Sequence, residues 1–95
     1  MYELSRAADS DIEAIITRSA FDFGAAQTHR YITSLKRCLA LLGENPAMGN
    51  RADDIATGLR RFTHRSHVVF YREGEGGIFV VRVLHKNMDI GERFR

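Results

Sequence analysis

The chain reads as an α+β fold in the order β-α-α-β-β-β, with a helical hairpin packed on a mainly antiparallel sheet. Three observations carry that reading. Apolar residues recur at helical spacing through two successive segments of the N-terminal half. The C-terminal half switches to short runs rich in β-branched and aromatic residues. Between the halves, residues 44–57 lose both periods and carry Pro46, Gly49 and the Asp53-Asp54 pair, which marks an ordered loop.

Tyr2 to Ser5 is a short strand. Ala8, Ile12, Ile15, Ile16 and Ala20 then fall on one face of a helix. Asp9, Asp11 and Glu13 sit near its start, where the helix dipole favours negative charge. Phe21-Asp22-Phe23-Gly24 breaks the pattern and turns the chain. A second helix over about 25–42 repeats the spacing with Tyr31, Leu35, Cys38, Leu39 and Leu42, and Gly43 followed by Pro46 reads as its stop. Strands are predicted over Leu59 to Thr63, His67 to Arg72 and Ile78 to His85, the last two joined by a hairpin at Gly74-Glu75-Gly76-Gly77.

With 95 residues the chain has the length of one domain, 1–95, whose hydrophobic share of 44% supplies one modest core. A single cysteine, Cys38, permits no internal disulfide and suits a reducing compartment. No stretch has the length of a signal-peptide core or a membrane span, so a cytoplasmic location without membrane contact is expected. The net charge of +2 is uneven. Residues 1–57 hold six Lys/Arg and eight Asp/Glu, whereas residues 58–95 hold eight and four. A basic C-terminal half suits an acidic partner, either nucleic acid or an acidic protein segment.

The last strand bears on function. Strict alternation puts Phe79, Val81 and Val83 on one face and Ile78, Val80, Arg82 and Leu84 on the other. Both sets are largely apolar, and two helices cover only one face. A partner protein is the expected cover for the second; the competing reading closes it with the 44–57 loop and the C-terminal tail. Arg82, among apolar neighbours, either pairs with a carboxylate of this chain or meets an acidic partner.

Other constellations are weaker. His64 and His67 are three apart, an offset that on one continuous strand sends them to opposite faces and prevents a shared metal. The glycines at 74–77 precede a strand, not the helix that a phosphate cradle requires. Arg30 and Arg37 share one helix face as a solvated stripe. No nucleophile–base–orienter set surrounds Ser66 or Cys38, and no cofactor motif stands out.

Several segments together carry a resemblance. They are Leu4-Ser5-Arg6-Ala7-Ala8-Asp9-Ser10-Asp11-Ile12, Phe23-Gly24 with Gln27 and Tyr31, Asn45-Pro46-Ala47-Met48-Gly49, Gly58-Leu59-Arg60, His67-Val68-Val69-Phe70-Tyr71, and Arg82-Val83-Leu84-His85 with Met88-Asp89. In this order and spacing the chain resembles the ParE branch of the ParE/RelE toxin superfamily over nearly its whole length. The resemblance implies a toxin of a type II toxin–antitoxin pair, held inactive by a ParD-like antitoxin whose C-terminal segment wraps it. DNA would be met only indirectly, through the antitoxin. It also implies DNA gyrase as the target, inhibited by binding and not by catalysis. The expected antitoxin-binding residues are Arg60, Tyr71, Arg82 and Leu84. The expected target-engaging residues are Arg82, His85, Met88 and Asp89. No catalytic residue, metal or cofactor is expected. The alternatives are a RelE-like nuclease of ribosome-bound messenger RNA and a non-toxic module of the same fold. Arg60, Arg61, His67, Tyr71, Arg82 and His85 supply residue types for the nuclease, but Lys86-Asn87-Met88-Asp89 stands where its members place an aromatic or His–aromatic pair.

Overall fold

A computed structural model describes residues 1–94. The elements are β1 (Tyr2–Leu4), α1 (Arg6–Phe23), α2 (Ala25–Glu44), β2 (Asn50–Arg51), β3 (Arg60–His64), β4 (His67–Gly74), β5 (Gly77–His85) and α3 (Ile90–Arg93). A 3-10 turn at Pro46–Met48 precedes β2. The five strands lie in the order β1-β5-β4-β3-β2, with β1 parallel to β5 and the other neighbours antiparallel. The β-α-α-β-β-β order therefore holds, with two short additions: β2 inside the expected loop and α3 after the last strand.

Ser5 is not a strand residue but the N-cap of α1. Its Oγ accepts the Ala8 N–H at 2.9 Å and donates to the Val81 carbonyl at 2.7 Å, fixing the helix start against β5. Helix α1 continues through Phe23, past the expected break, and Gly24 at φ 85° makes the turn into α2. Gly43 does not end α2. It lies buried within the helix, and a Cβ there would collide with the Met1 backbone; one at Gly77 would strike Met1 as well. Asn45 is the actual C-cap. The glycine signal was real, but its cause is close packing of the first residue, not a left-handed turn.

The main core lies between the hairpin and the sheet. Ile12, Ile32, Leu35, Leu39 and Leu42 meet Val69, Tyr71, Ile78, Val80 and Val83. At roughly 1.5–3 kcal/mol for each fully buried large side chain, this layer supplies most of the driving force. Tyr71 sits inside it with no exposed surface. Its hydroxyl donates to the Pro46 carbonyl at 2.6 Å and accepts the Gly49 N–H at 2.9 Å, pinning the loop to the sheet.

Two expectations fail in the sheet for identifiable reasons. Phe70 pairs with Arg82 and Tyr71 with Val80, so Val81 is an extra residue in β5. This bulge shifts the alternation. Ile78, Val80 and Val83 face the helices, while Val81 and Leu84 join Ala52, Leu59, Val68 and Phe70 on the opposite face. That opposite face is not open. Ile55 and Ala56 of the loop and Ile90 and Phe94 of the tail cover it, with the Phe94 ring edge-on to Phe70 at 5.1 Å. Asp53 closes the loop by accepting the Gly58 N–H, and Arg72 bonds the Thr57 carbonyl. The chain itself supplies the cover expected from a partner.

Candidate functional site

Helix α1 ends its contact with the sheet before the hairpin does. Beyond Ile12 most α1 residues are exposed, and the turn carries Phe21 at 89% and Phe23 at 62% exposure. The hairpin thus projects past the end of the sheet. Strand β1 stops at Leu4, opposite Val80, so from Val81 onward β5 keeps β4 on one side and has no strand on the other. Side chains satisfy that edge. Asp11 of α1 accepts the Val83 N–H at 2.9 Å and holds Arg82 through two bonds of 2.8 and 2.7 Å. The carboxylate keeps the Arg82 guanidinium more strongly protonated than usual.

The projecting hairpin and the strand ends enclose an open groove of about 1090 Å³. Ala14, Ile15, Phe23, Val83 and Met88 supply apolar lining, and Arg18, Arg30, Arg65 and Asp22 charge. Arg18 pairs with Asp22 at 2.9 Å; Arg30 and Arg65 pair with no carboxylate among the described residues.

One wall is an aromatic and imidazole cluster. His64 and His67 do not point to opposite faces. The two-residue turn Arg65-Ser66, with Arg65 at φ 52°, sets them directly opposite each other on β3 and β4, both toward α2. The strand-offset argument failed because a hairpin turn, not continuous strand, separates them. Tyr31 Oη lies 2.6 Å from His67 Nδ1 and donates to the His64 carbonyl at 3.4 Å. Its oxygen is then the acceptor for His67 Nδ1–H, which leaves Nε2 as that ring's unprotonated nitrogen. Ser34 Oγ donates to the Tyr31 carbonyl at 3.1 Å and meets His64 Nε2 at 2.8 Å. The His85 ring stands edge-on to His67 at 5.4 Å, with its Nδ1 accepting the Asn87 N–H.

His64 and His67 are held neutral. Burial, then the charges of His85 and His64, push His67 down to about 4. Burial and Arg65 lower His64 in the same direction, and burial raises the Tyr31 phenol. Among the described residues no group of three His, Cys, Asp or Glu is placed to hold a metal.

The sequence-predicted site residues do not form one surface. His85 and Met88 line the groove, and Asp89 follows at the start of α3. Arg82 stands beside the groove, bound to Asp11. Leu84 is buried beneath the opposite face, and Tyr71 lies wholly within the core, so neither offers surface to a partner in the free chain. Arg60 donates to the Gly49 carbonyl at 2.8 Å near the sheet's other edge, away from the groove. The sequence reading missed Asp11, Tyr31 and Ser34, whose roles depend on contacts 30 to 72 residues away.

The comparisons with known proteins agree with one another. Residues 2–90 match the family model described as ParE toxin of type II toxin–antitoxin system, parDE. The chain is 39% identical over 90 residues to Toxin ParE1 of Mycobacterium tuberculosis, spanning 94% of this chain and 92% of that protein. It is 38% identical over 88 residues to Toxin ParE1 of Caulobacter vibrioides, spanning 93% and 91%. Its fold is similar to a solved chain of the chromosomal ParDE TA system from P. aeruginosa, with a TM-score of 0.76, 17% identity, and coverage of 88% and 92%.

Proposed function

The chain belongs to the ParE toxin family of type II toxin–antitoxin systems, and from that premise we propose that it acts in the cytoplasm by binding DNA gyrase, without catalysis, and that a ParD-like antitoxin silences it by seating a segment in the hairpin groove. The observation carrying the antitoxin's seat is the groove itself. It combines apolar lining, a stretch of β5 with one open edge, and two arginines that pair with no carboxylate among the described residues. An amphipathic acidic segment complements that surface in both shape and charge. The opposite sheet face, already closed by the loop and α3, offers no comparable seat.

Gyrase is the target the resemblance implies, and His85, Met88 and Asp89 are the residues proposed to meet it. His85 and Met88 line the same groove, so an antitoxin seated there also covers the target-engaging residues. Neutralisation is then direct occlusion. Non-catalytic action fits the engagements of two arginines considered for a nuclease: Arg82 is bound to Asp11 and Arg60 to Gly49, so neither converges on the imidazoles. Arg30 and Arg65 do face the groove, and the supercoiling assay decides between the two readings.

Two measurements test this. Purified chain should inhibit gyrase supercoiling at micromolar concentration, and equimolar antitoxin should relieve it; cleavage of ribosome-bound messenger with no effect on supercoiling would transfer the function to the nuclease reading. Phe23→Ala with Arg30→Ala should weaken antitoxin binding at least tenfold, the loss of about 1.4 kcal/mol. Unchanged affinity would place the antitoxin elsewhere.

A further inference from the structure

We propose that the antitoxin segment in this groove delivers a carboxylate to the His67–His85 pair, so that forming the complex takes up protons. The inference rests on the groove being the antitoxin's seat, and it adds the chemistry and pH dependence of that contact.

The first support is geometric. The imidazoles of His67 on β4 and His85 at the end of β5 line the groove wall with Tyr31, with His67 central: His85 lies 5.4 Å from it and Tyr31 5.5 Å, while His64 packs on Tyr31 at 6.0 Å. The donor pattern points outward. Tyr31 occupies His67 Nδ1 and the Asn87 N–H occupies His85 Nδ1, which leaves the Nε2 atoms of both rings for an incoming group.

The second support is the charge around the cluster. From α1 the groove receives Asp11, Arg18 and Asp22. Both carboxylates are engaged, Asp11 by Arg82 and the Val83 N–H and Asp22 by Arg18, so neither neutralises an imidazolium. From α2 come Arg30 and the neutral phenol of Tyr31, and from the β3–β4 turn comes Arg65. The uncompensated charges facing the groove wall are therefore positive, and this acts with burial to keep His64 and His67 unprotonated.

A partner carboxylate reverses that balance. It compensates Arg30 and Arg65 and favours protonation of His67 at Nε2, the nitrogen left without a hydrogen when Nδ1 donates to Tyr31, and Nε2–H then donates a charge-assisted hydrogen bond to the carboxylate. A ring neutral in the free chain and charged in the complex binds a proton on association, so affinity rises as pH falls.

The test is titration calorimetry of the full chain with its full-length ParD-like antitoxin at pH 6.5 in buffers of different ionisation enthalpy. The expected result is a binding enthalpy that varies with the buffer in the sense of proton uptake, and an affinity about fourfold higher at pH 6 than at pH 8, as for one imidazole restored from about 4 to the ordinary value near 6.5. His67→Gln should reduce the uptake while the complex still forms. Buffer-independent enthalpy, proton release, or uptake unchanged in that variant would overturn the proposal. A complex that forms without proton uptake, yet is weakened by the Phe23 and Arg30 substitutions, sinks this inference alone; a complex indifferent to those substitutions sinks the groove assignment.

Discussion

The two faces of the sheet are closed by different means. On one, α1 and α2 bring a periodic stripe of Ile, Leu and Cys side chains onto Val69, Tyr71, Val80 and Val83. On the other, a loop and a four-residue helix lay Ile55, Ala56, Ile90 and Phe94 over Val68, Phe70 and Leu84. Long helices carry enough apolar surface to hold themselves in place. The loop needs added fastenings: the Asp53 carboxylate on Gly58, Arg72 on Thr57, and the Phe70–Phe94 contact. The helical cover also outruns the sheet, and the overhang creates the groove. The loop cover follows the sheet closely and leaves none there. The proposed partner seat thus belongs to the helical cover, at the end where it overhangs the sheet.

The largest effect should come from the helical side. Leu39 has no exposed surface, and Leu39→Ala should lower the unfolding free energy by about 2–5 kcal/mol in urea denaturation. Phe94 is only half-buried and ends the short tail, so Phe94→Ala should cost about 1–2 kcal/mol and leave antitoxin affinity unchanged. Equal losses for the two variants would mean that the faces are sealed with equal strength, and the contrast would be wrong.

The smallest effect belongs to the groove. His67 stays neutral in the folded chain down to about pH 4, whereas an unfolded histidine takes a proton near 6.5. Protons therefore favour the unfolded state between those values. Stability should be intact above about pH 6.5 and decline as pH falls toward 4, with His64 acting in the same direction. Thermal melts from pH 7.5 to 5 should show a falling Tm, with a shallower slope in His67→Gln. An identical slope in that variant would remove His67 as the source.

Legibility in the sequence followed the range of the interactions. The α2 stripe of Leu35, Cys38, Leu39 and Leu42 is buried as its spacing predicted, because helical periodicity is written within a few turns. The Gly74–Gly77 hairpin was equally local. The bulge at Val81 had no Gly or Pro to mark it, and it regrouped the whole last strand. The Arg65-Ser66 turn lacks the usual Asn-Gly or Asp-Gly signal, so the facing of His64 and His67 was read with the wrong phase. Tyr71 was expected to meet the antitoxin, and only the fold placed it wholly in the core with its hydroxyl between Pro46 and Gly49.

By itself, the sequence determined the α+β class, the hairpin, the three long strands and the likeness to ParE toxins, since each rests on local periodicity or on motif order. The tertiary structure decided which sheet face was covered, how Arg82 was engaged, and that Tyr31, His67 and His85 share one wall. Those outcomes depend on strand register and on contacts such as Asp11 with Val83, 72 residues apart. Register and long-range pairing are fixed by the joint packing of all elements, and no segment encodes them alone.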